Sequence, residues 1–382
     1  MSVTGITKFS FPTTVHFGPG ARHLAGAHLR EQGLARPLIV TDQGLAALPL
    51  IGALKSELEA SGLAVAAYGG VAGNPTGPQV MAGAAAYRAH RADSVVGVGG
   101  GAALDVAKVV GLMATHPGDV MEYVWDHPKV RPITGALPHF IALPTTSGTG
   151  SEVGRSSVIS EQDTHVKRVI FSPAILARCV FADPELTLGL PPAVTAATGM
   201  DALTHNVESY LSPAYHPLCD GIALEGARIA ARALVDAVRN GADVQARSHM
   251  MMSSMMGAIA FQKDLGAVHS CAHALGTVLN LHHGLANALM IEPVLAWNYE
   301  AVPAKFDELA HVCGVKGGGA AFVPWLRELK MKIGITTKLA QHGAKPEHLP
   351  RLVQLAQADI CHQTNARPCT PADFERLFKA AM

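Results

Sequence analysis

Apolar residues in the first half of the chain fall into short runs separated by helical patterns. PLIVTD (37–42), LAVAAYG (63–69), SVVGVGG (94–100) and HFIALPTT (139–146) read as strands, with helices around 49–61, around 78–91 and from about 102. Such alternation predicts a parallel sheet with crossover helices, which binds ligands at the strand-to-helix turns beyond the carboxyl ends of its strands. From about Pro184 the texture changes to long Ala-, Leu- and Met-rich helical patterns broken by Pro, Gly and His. Pro191 and Pro192 fit a helix start, and PADFERLFKAAM (371–382) fits a closing helix. The expected fold class is α/β plus all-α: a parallel-sheet domain over residues 1–184 and a helical domain over 185–382, packed closely with a cleft between them.

Composition narrows the function. The chain has 382 residues, 49% hydrophobic and only 16% charged, which describes a well-buried globular protein of enzyme size. Lys plus Arg equals Asp plus Glu at 30 each, so no net field advertises a nucleic acid or a membrane surface as partner. The N-terminus lacks the charged, apolar and small-residue segments of a targeting sequence, and no window is long enough for a membrane span, so a soluble, cytoplasmic protein is expected. Six cysteines are scattered without a C-x-x-C pair, which predicts reduced thiols, no disulfide and no cysteine-held zinc.

Three segments suit a dinucleotide. VGVGGGAALDVAK (96–108) follows a strand and opens a helix, so Gly99, Gly100 and Gly101 let backbone N–H groups and the helix dipole approach a pyrophosphate; a tight turn with no ligand has the same sequence. Lys108 and Asp105 then solvate or cap that helix. Asp42 ends the strand PLIVTD, where a carboxylate accepts from ribose hydroxyls and repels a 2′-phosphate, favouring NAD over NADP; the alternative is an ordinary turn aspartate. PTTSGTGSEVGR (144–155) offers the hydroxyls of Thr145, Thr146 and Ser147 before Gly148 and Gly150, either around a cofactor or as caps for the next element.

The second half carries ligand-type side chains. GMDALTHNVESY (199–210) puts Asp201 and His205 on one helix face, and VHSCAHALGTVLNLHHGLANAL (268–289) adds His269, His273, His282 and His283. One carboxylate with several imidazoles suits Fe(II) or Zn(II), against the alternative of packed core histidines. HMMMSSMM (249–256) reads as a packed helix rather than a soft-metal site.

Taken together, FPTTVHFGPGA, GNPT, GGGAALDVAK, PTTSGTGSE, GMDALTHNVESY, HHGLANA and TNARP resemble the iron-containing (group III) alcohol dehydrogenase family over nearly the whole chain. The resemblance implies a divalent metal, Fe(II) before Zn(II), held by Asp201, His205, His269 and His283, with His273 near the substrate in proton transfer. It implies NAD contacts at Asp42, Asn74, Gly99, Gly100, Thr145, Thr146 and Lys167. The chain departs from the family pattern at Ala102, in the shortened AFQKDLGAVH segment and at Ala366. The expected reaction interconverts a small primary alcohol and its aldehyde by hydride transfer. A small diol or polyol, or a short ω-hydroxy acid recognised by Lys263 or Arg155 if either is not simply in a surface ion pair, are alternatives, and a metal- or nucleotide-binding protein without turnover is the remaining one. The family also implies a homodimer, with the FPTTVHF strand as a contact.

Overall fold

The computed structural model describes Phe11 and residues 13–382; Pro12, within the FPTTVHF stretch, lies outside them. By internal contacts the chain forms two units, one of residues 13–146 with Ser151–Thr187, the other of Ser147–Gly150 with Leu188–Met382 and Phe11.

The first unit is built on six parallel strands: β1 (Thr14–Phe17), β2 (Pro37–Asp42), β3 (Ala66–Val71), β4 (Ser94–Gly99), β5 (His139–Pro144) and, closing the sheet, a four-residue strand Cys179–Ala182, β8. Between β5 and β8 an antiparallel pair, β6 (Ser156–Ser160) and β7 (Lys167–Phe171), stands apart. The main order is β1-β8-β5-β4-β2-β3. Helices α1 (Ala25–Glu31), α2 (Gln43–Ala46), α3 (Pro49–Ala60), α4 (Gly77–His90) and α5 (Gly101–Thr115) supply the crossovers. Every residue of β4 is buried, as are Leu38, Ile39 and Val40 of β2, so these strands read as unbroken apolar runs rather than as alternation. From β2 the chain passes to β3 on one side and then to β4 on the other, so β2 and β4 flank a topological switch point.

Two sequence expectations shift. The strand read in LAVAAYG begins only at Ala66 and runs to Val71, because Leu63 and Val65 pack into the apolar cluster with Leu54 and Leu58 before the strand starts. Strands β6, β7 and β8, of four or five residues each, were too short to stand out as apolar runs.

The second unit is helical: α6 (Pro192–Leu211), α7 (Pro217–Arg239), α8 (Val244–Ala260), α9 (Ala267–Leu279), α10 (His283–Tyr299), α11 (Pro303–Val312), α12 (Phe322–Lys332), α13 (Leu349–Ala358) and α14 (Pro371–Ala381). Pro191 and Pro192 do start α6, and every residue of that helix from Thr195 to Leu211 is buried among α7, α8 and α10. Small residues allow this close approach: a Cβ on Gly199 would meet Leu234, and one on Gly257 would meet His205. Met250, Met251 and Met255 of α8 are buried packing residues. No helix among the described residues is long and apolar enough to cross a membrane. All six thiols are free.

Candidate functional site

In the helical unit α6, α9 and α10 each project ligand-type atoms toward one point. The i, i+4 spacing puts Asp201 and His205 on one face of α6. His269 comes from the first turn of α9, and His283 is the first residue of α10. His205 Nε2 and His269 Nε2 each lie 3.9 Å from Asp201 Oδ1, and His283 Nε2 lies 3.4 Å from it. One ligand atom from each of these four residues falls within 4.8 Å of all the others. Tetrahedral ligands bonded at about 2.1 Å to one cation stand roughly 3.4 Å apart, so the donor set fits a single divalent ion. His282, the N-cap of α10, is not in the group.

Neighbouring groups turn these rings inward. His205 Nδ1–H donates to the Gly148 carbonyl at 3.2 Å, and His269 Nδ1–H donates to Glu208 Oε2 at 2.6 Å. With Nδ1 tied, each ring presents the Nε2 lone pair to the cluster. Burial, and then His205 beside it, push His269 well below the usual imidazole range, leaving the neutral form that ligates metals. Glu208 also accepts from the backbone N–H groups of Val268 and His269, at 2.7 and 3.3 Å. Asn287 Nδ2 donates to Asp201 Oδ1 at 2.7 Å. Sequence reasoning named neither Glu208 nor Asn287 as a site residue, although Glu208 stands at i+7 from Asp201 on the same helical face.

His273 lies beside this group without joining it. Its ring stacks on His283, centroids 5.3 Å apart and 17° from parallel, and meets His269 edge-on at 6.1 Å. Its Nδ1 hydrogen-bonds Asp359 Oδ2 at 2.8 Å.

The approach of α10 to α6 rests on Gly284. A Cβ there would come 2.3 Å from the carbonyl oxygen and 2.7 Å from the carbonyl carbon of Ala197, both backbone atoms that no side-chain rotation removes. Gly284→Ala should cost on the order of 1–3 kcal/mol of stability by overpacking, more than the roughly 1 kcal/mol that alanine gains in helix propensity. It should also weaken Zn(II) binding, since His283 is the adjacent residue. Urea unfolding and metal titration check both, and an alanine variant as stable and as avid as wild type contradicts the packing argument.

In the sheet unit the candidate dinucleotide residues gather at the carboxyl ends of β2, β4 and β5, at the switch point. Gly99 closes β4 with φ near +149°, and a Cβ there would lie 2.6 Å from Ala103 Cβ and 3.4 Å from Asp42 Oδ2. Gly100 is the N-cap of α5, Gly101 its first residue, and Thr146 packs against Gly100. Thr145 N–H donates to the Gly99 carbonyl at 3.0 Å. Asp42 caps α2, Oδ1 accepting from Leu45 N–H at 2.9 Å. Asn74 precedes Pro75, whose carbonyl accepts from Ser160 N–H, and Ser160 pairs in register with Lys167, so these two candidates share one end of the unit. Ser147 belongs to the helical unit, its Oγ buried without a hydrogen-bond partner.

The three cations singled out in the sequence have partners within the fold. Lys108 does not solvate its helix: its ammonium is buried and donates to Ser151 Oγ at 2.8 Å and the Ser156 carbonyl at 2.7 Å. Lys263 is 1% exposed and bonded to Asp220 and to the Tyr210 carbonyl. The Arg155 guanidinium lies over the Phe171 ring at 5.5 Å.

Comparison with known proteins follows the same two-part division. Residues 12–184 match the family model described as iron-containing alcohol dehydrogenase, and residues 195–382 match that of the Fe-containing alcohol dehydrogenase family, C-terminal. A 4-hydroxybutyrate dehydrogenase of Cupriavidus necator is 38% identical over 379 residues, covering 97% of this chain and 98% of the relative. The crystal structure of a 1,3-propanediol oxidoreductase superposes with a TM-score of 0.94 at 35% identity, covering 99% of this chain and 100% of the other. A sulfoacetaldehyde reductase from Bifidobacterium kashiwanohense, solved in complex with NAD+, superposes with a TM-score of 0.89 at 26% identity and 99% coverage of both chains.

Proposed function

The chain belongs to the iron-containing alcohol dehydrogenase family, and from that premise we propose that it interconverts a small primary alcohol and its aldehyde with NAD and one divalent metal, Fe(II) before Zn(II). Its class, an oxidoreductase acting on CH–OH groups, comes with the family. The observation that carries the metal assignment is the convergence of one carboxylate and three imidazoles within 4.8 Å.

Asp201, His205, His269 and His283 would hold the cation, with Glu208 and the Gly148 carbonyl keeping two of the rings turned toward it. When bound, the cation would supply Lewis acidity that eases loss of the alcohol proton and NAD+ would serve as hydride acceptor, for a net conversion of alcohol and NAD+ to aldehyde, NADH and one proton. His273 receives the alcohol proton and passes it toward solvent, its side chain being 26% exposed against 1% for His269. Backbone N–H groups at the start of α5, after Gly99, take the pyrophosphate, and Asp42, Asn74, Thr145, Thr146 and Lys167 complete the nucleotide contacts of the sheet unit. Of the substrate alternatives, the ω-hydroxy acid reading loses its Lys263 argument because that ammonium is bonded to Asp220.

The test is NADH formation by metal-stripped protein reloaded anaerobically with Fe(II) or Zn(II), across neutral alcohols, diols and ω-hydroxy acids. His269→Ala, assayed alongside, should abolish metal-restored turnover and lower metal content. Measurable NAD binding with no turnover of any substrate under either metal would overturn the reading in favour of a binding protein.

A further inference from the structure

The proposed chemistry uses His273 but leaves unexplained why a carboxylate from a distant part of the chain is fastened to it. Asp359 directly follows α13, and 86 residues separate it from His273. Its two oxygens are fully engaged: Oδ2 with His273 Nδ1 at 2.8 Å, Oδ1 with Ser270 Oγ at 2.8 Å and with Cys361 N–H at 2.9 Å. Ser270 and His273 share one face of α9, three residues apart, so a single carboxylate bridges that face to the turn at Cys361. The O–H of Ser270 and the N–H of Cys361 both point at Oδ1, and such donors favour the ionised form of the carboxylate.

An ionised carboxylate only accepts hydrogen bonds, so a neutral His273 facing it must carry its proton on Nδ1, which leaves Nε2 bare. We propose that Asp359 is a positioning residue that fixes this tautomer and thereby keeps Nε2 of His273 as the proton acceptor. The inference rests on the reading of His273 as the group that receives the alcohol proton. A plain anchoring role for Asp359, tying the 359–364 segment to α9, predicts a different order of variants.

Asparagine separates the two roles. The backbone N–H of Cys361 is a fixed donor, so in Asp359→Asn the single amide oxygen stays on that side. The NH2 group then faces His273 Nδ1 and donates to it, which is compatible only with a ring whose proton sits on Nε2, the opposite tautomer. Turnover in metal-loaded Asp359→Asn should therefore fall about 10²–10⁴-fold, the range of general acid–base contributions, with KM for the alcohol shifted much less. Asp359→Ala leaves Nδ1 without a directing partner and should retain more turnover than the asparagine variant, although it removes more hydrogen bonds. An anchor predicts the reverse order, because asparagine is nearly isosteric.

Nitrogen-15 NMR of histidine-labelled, Zn-loaded protein reads the tautomer independently of activity, with a His273→Gln spectrum identifying the resonances. Wild type should show the Nδ1–H form and Asp359→Asn the Nε2–H form, each retaining stoichiometric metal. A wild-type His273 in the Nε2–H form, or an asparagine variant within about threefold of wild-type kcat, overturns the proposal. Absence of turnover in wild type with every alcohol is instead a failure of the dehydrogenase reading, and the tautomer measurement still decides the role of Asp359.

Discussion

Glutamine in place of Glu208 should lower the affinity for Zn(II) or Fe(II) by about ten- to a hundredfold, the usual effect of removing the hydrogen-bond partner of a ligating histidine. Three N–H groups converge on this carboxylate: the backbone N–H groups of Val268 and His269 and the ring Nδ1–H of His269. Two of them meet at one oxygen, so glutamine cannot satisfy all three, and its NH2 is directed at a donor wherever it is placed. With the amide oxygen facing Val268 N–H, the NH2 opposes the ring proton and the ring swings away; with it facing His269, the NH2 opposes Val268 N–H and displaces the first turn of α9 that carries the ring. Either way Nε2 moves off the point it shares with Asp201, His205 and His283. Chelator competition at fixed pH measures the loss, with far-ultraviolet circular dichroism to establish that the helices persist. A glutamine variant with wild-type affinity would mean that His269 is oriented by packing alone.

The second large effect is on stability. Methionine in place of Lys263 should cost about 3 kcal/mol, the lower end of what is seen when one partner of a buried ion pair is removed. The Lys263 side chain is fully buried and that of Asp220 is 15% exposed, so the abandoned carboxylate has little access to water. The lower end is expected because Lys305 gains from the change. Its ammonium donates to the Tyr210 and Ser212 carbonyls at the end of α6, and burial together with the charge of Lys263 pulls it down to about 8. Urea unfolding should give the loss, and Lys263→Met with Asp220→Leu should recover most of it. The same variant tests substrate choice: the ratio of kcat/KM for ω-hydroxy acids and for neutral alcohols should stay as in wild type. A selective rise in KM for the acids would return Lys263 to the substrate.

These two residues also show where sequence reasoning reaches its limit. The strands of the parallel sheet are legible because burial on both faces leaves continuous apolar runs, and Asp201 with His205 is legible because helical spacing alone puts them on one face. Glu208 lay on that face too, but what it holds is a turn of another helix 60 residues further on, which spacing does not reveal. Asp359 has no local signal, since both its helical partners arrive through tertiary packing. For Lys263 an ion pair was the expected alternative to a substrate contact, but its partner could not be named because the counter-charge stands 43 residues earlier, at the start of α7. Short strands such as β8 carry too few residues for periodicity and are defined by their neighbours.

The four residues Ser147–Gly150 count with the helices, although in sequence they interrupt the sheet unit between β5 and β6. Gly148 packs against Thr198 of α6, its carbonyl takes the His205 ring proton, and Gly150, at φ near +58°, packs against Ala258 of α8. The helical unit is therefore not a cassette that begins after β8. A recombination event that joined residues 188–382 to a different sheet domain would leave behind the segment that orients one of its own histidines. A sheet domain exchanged into this chain would preserve the arrangement only if it brought a loop with glycines at the same two places.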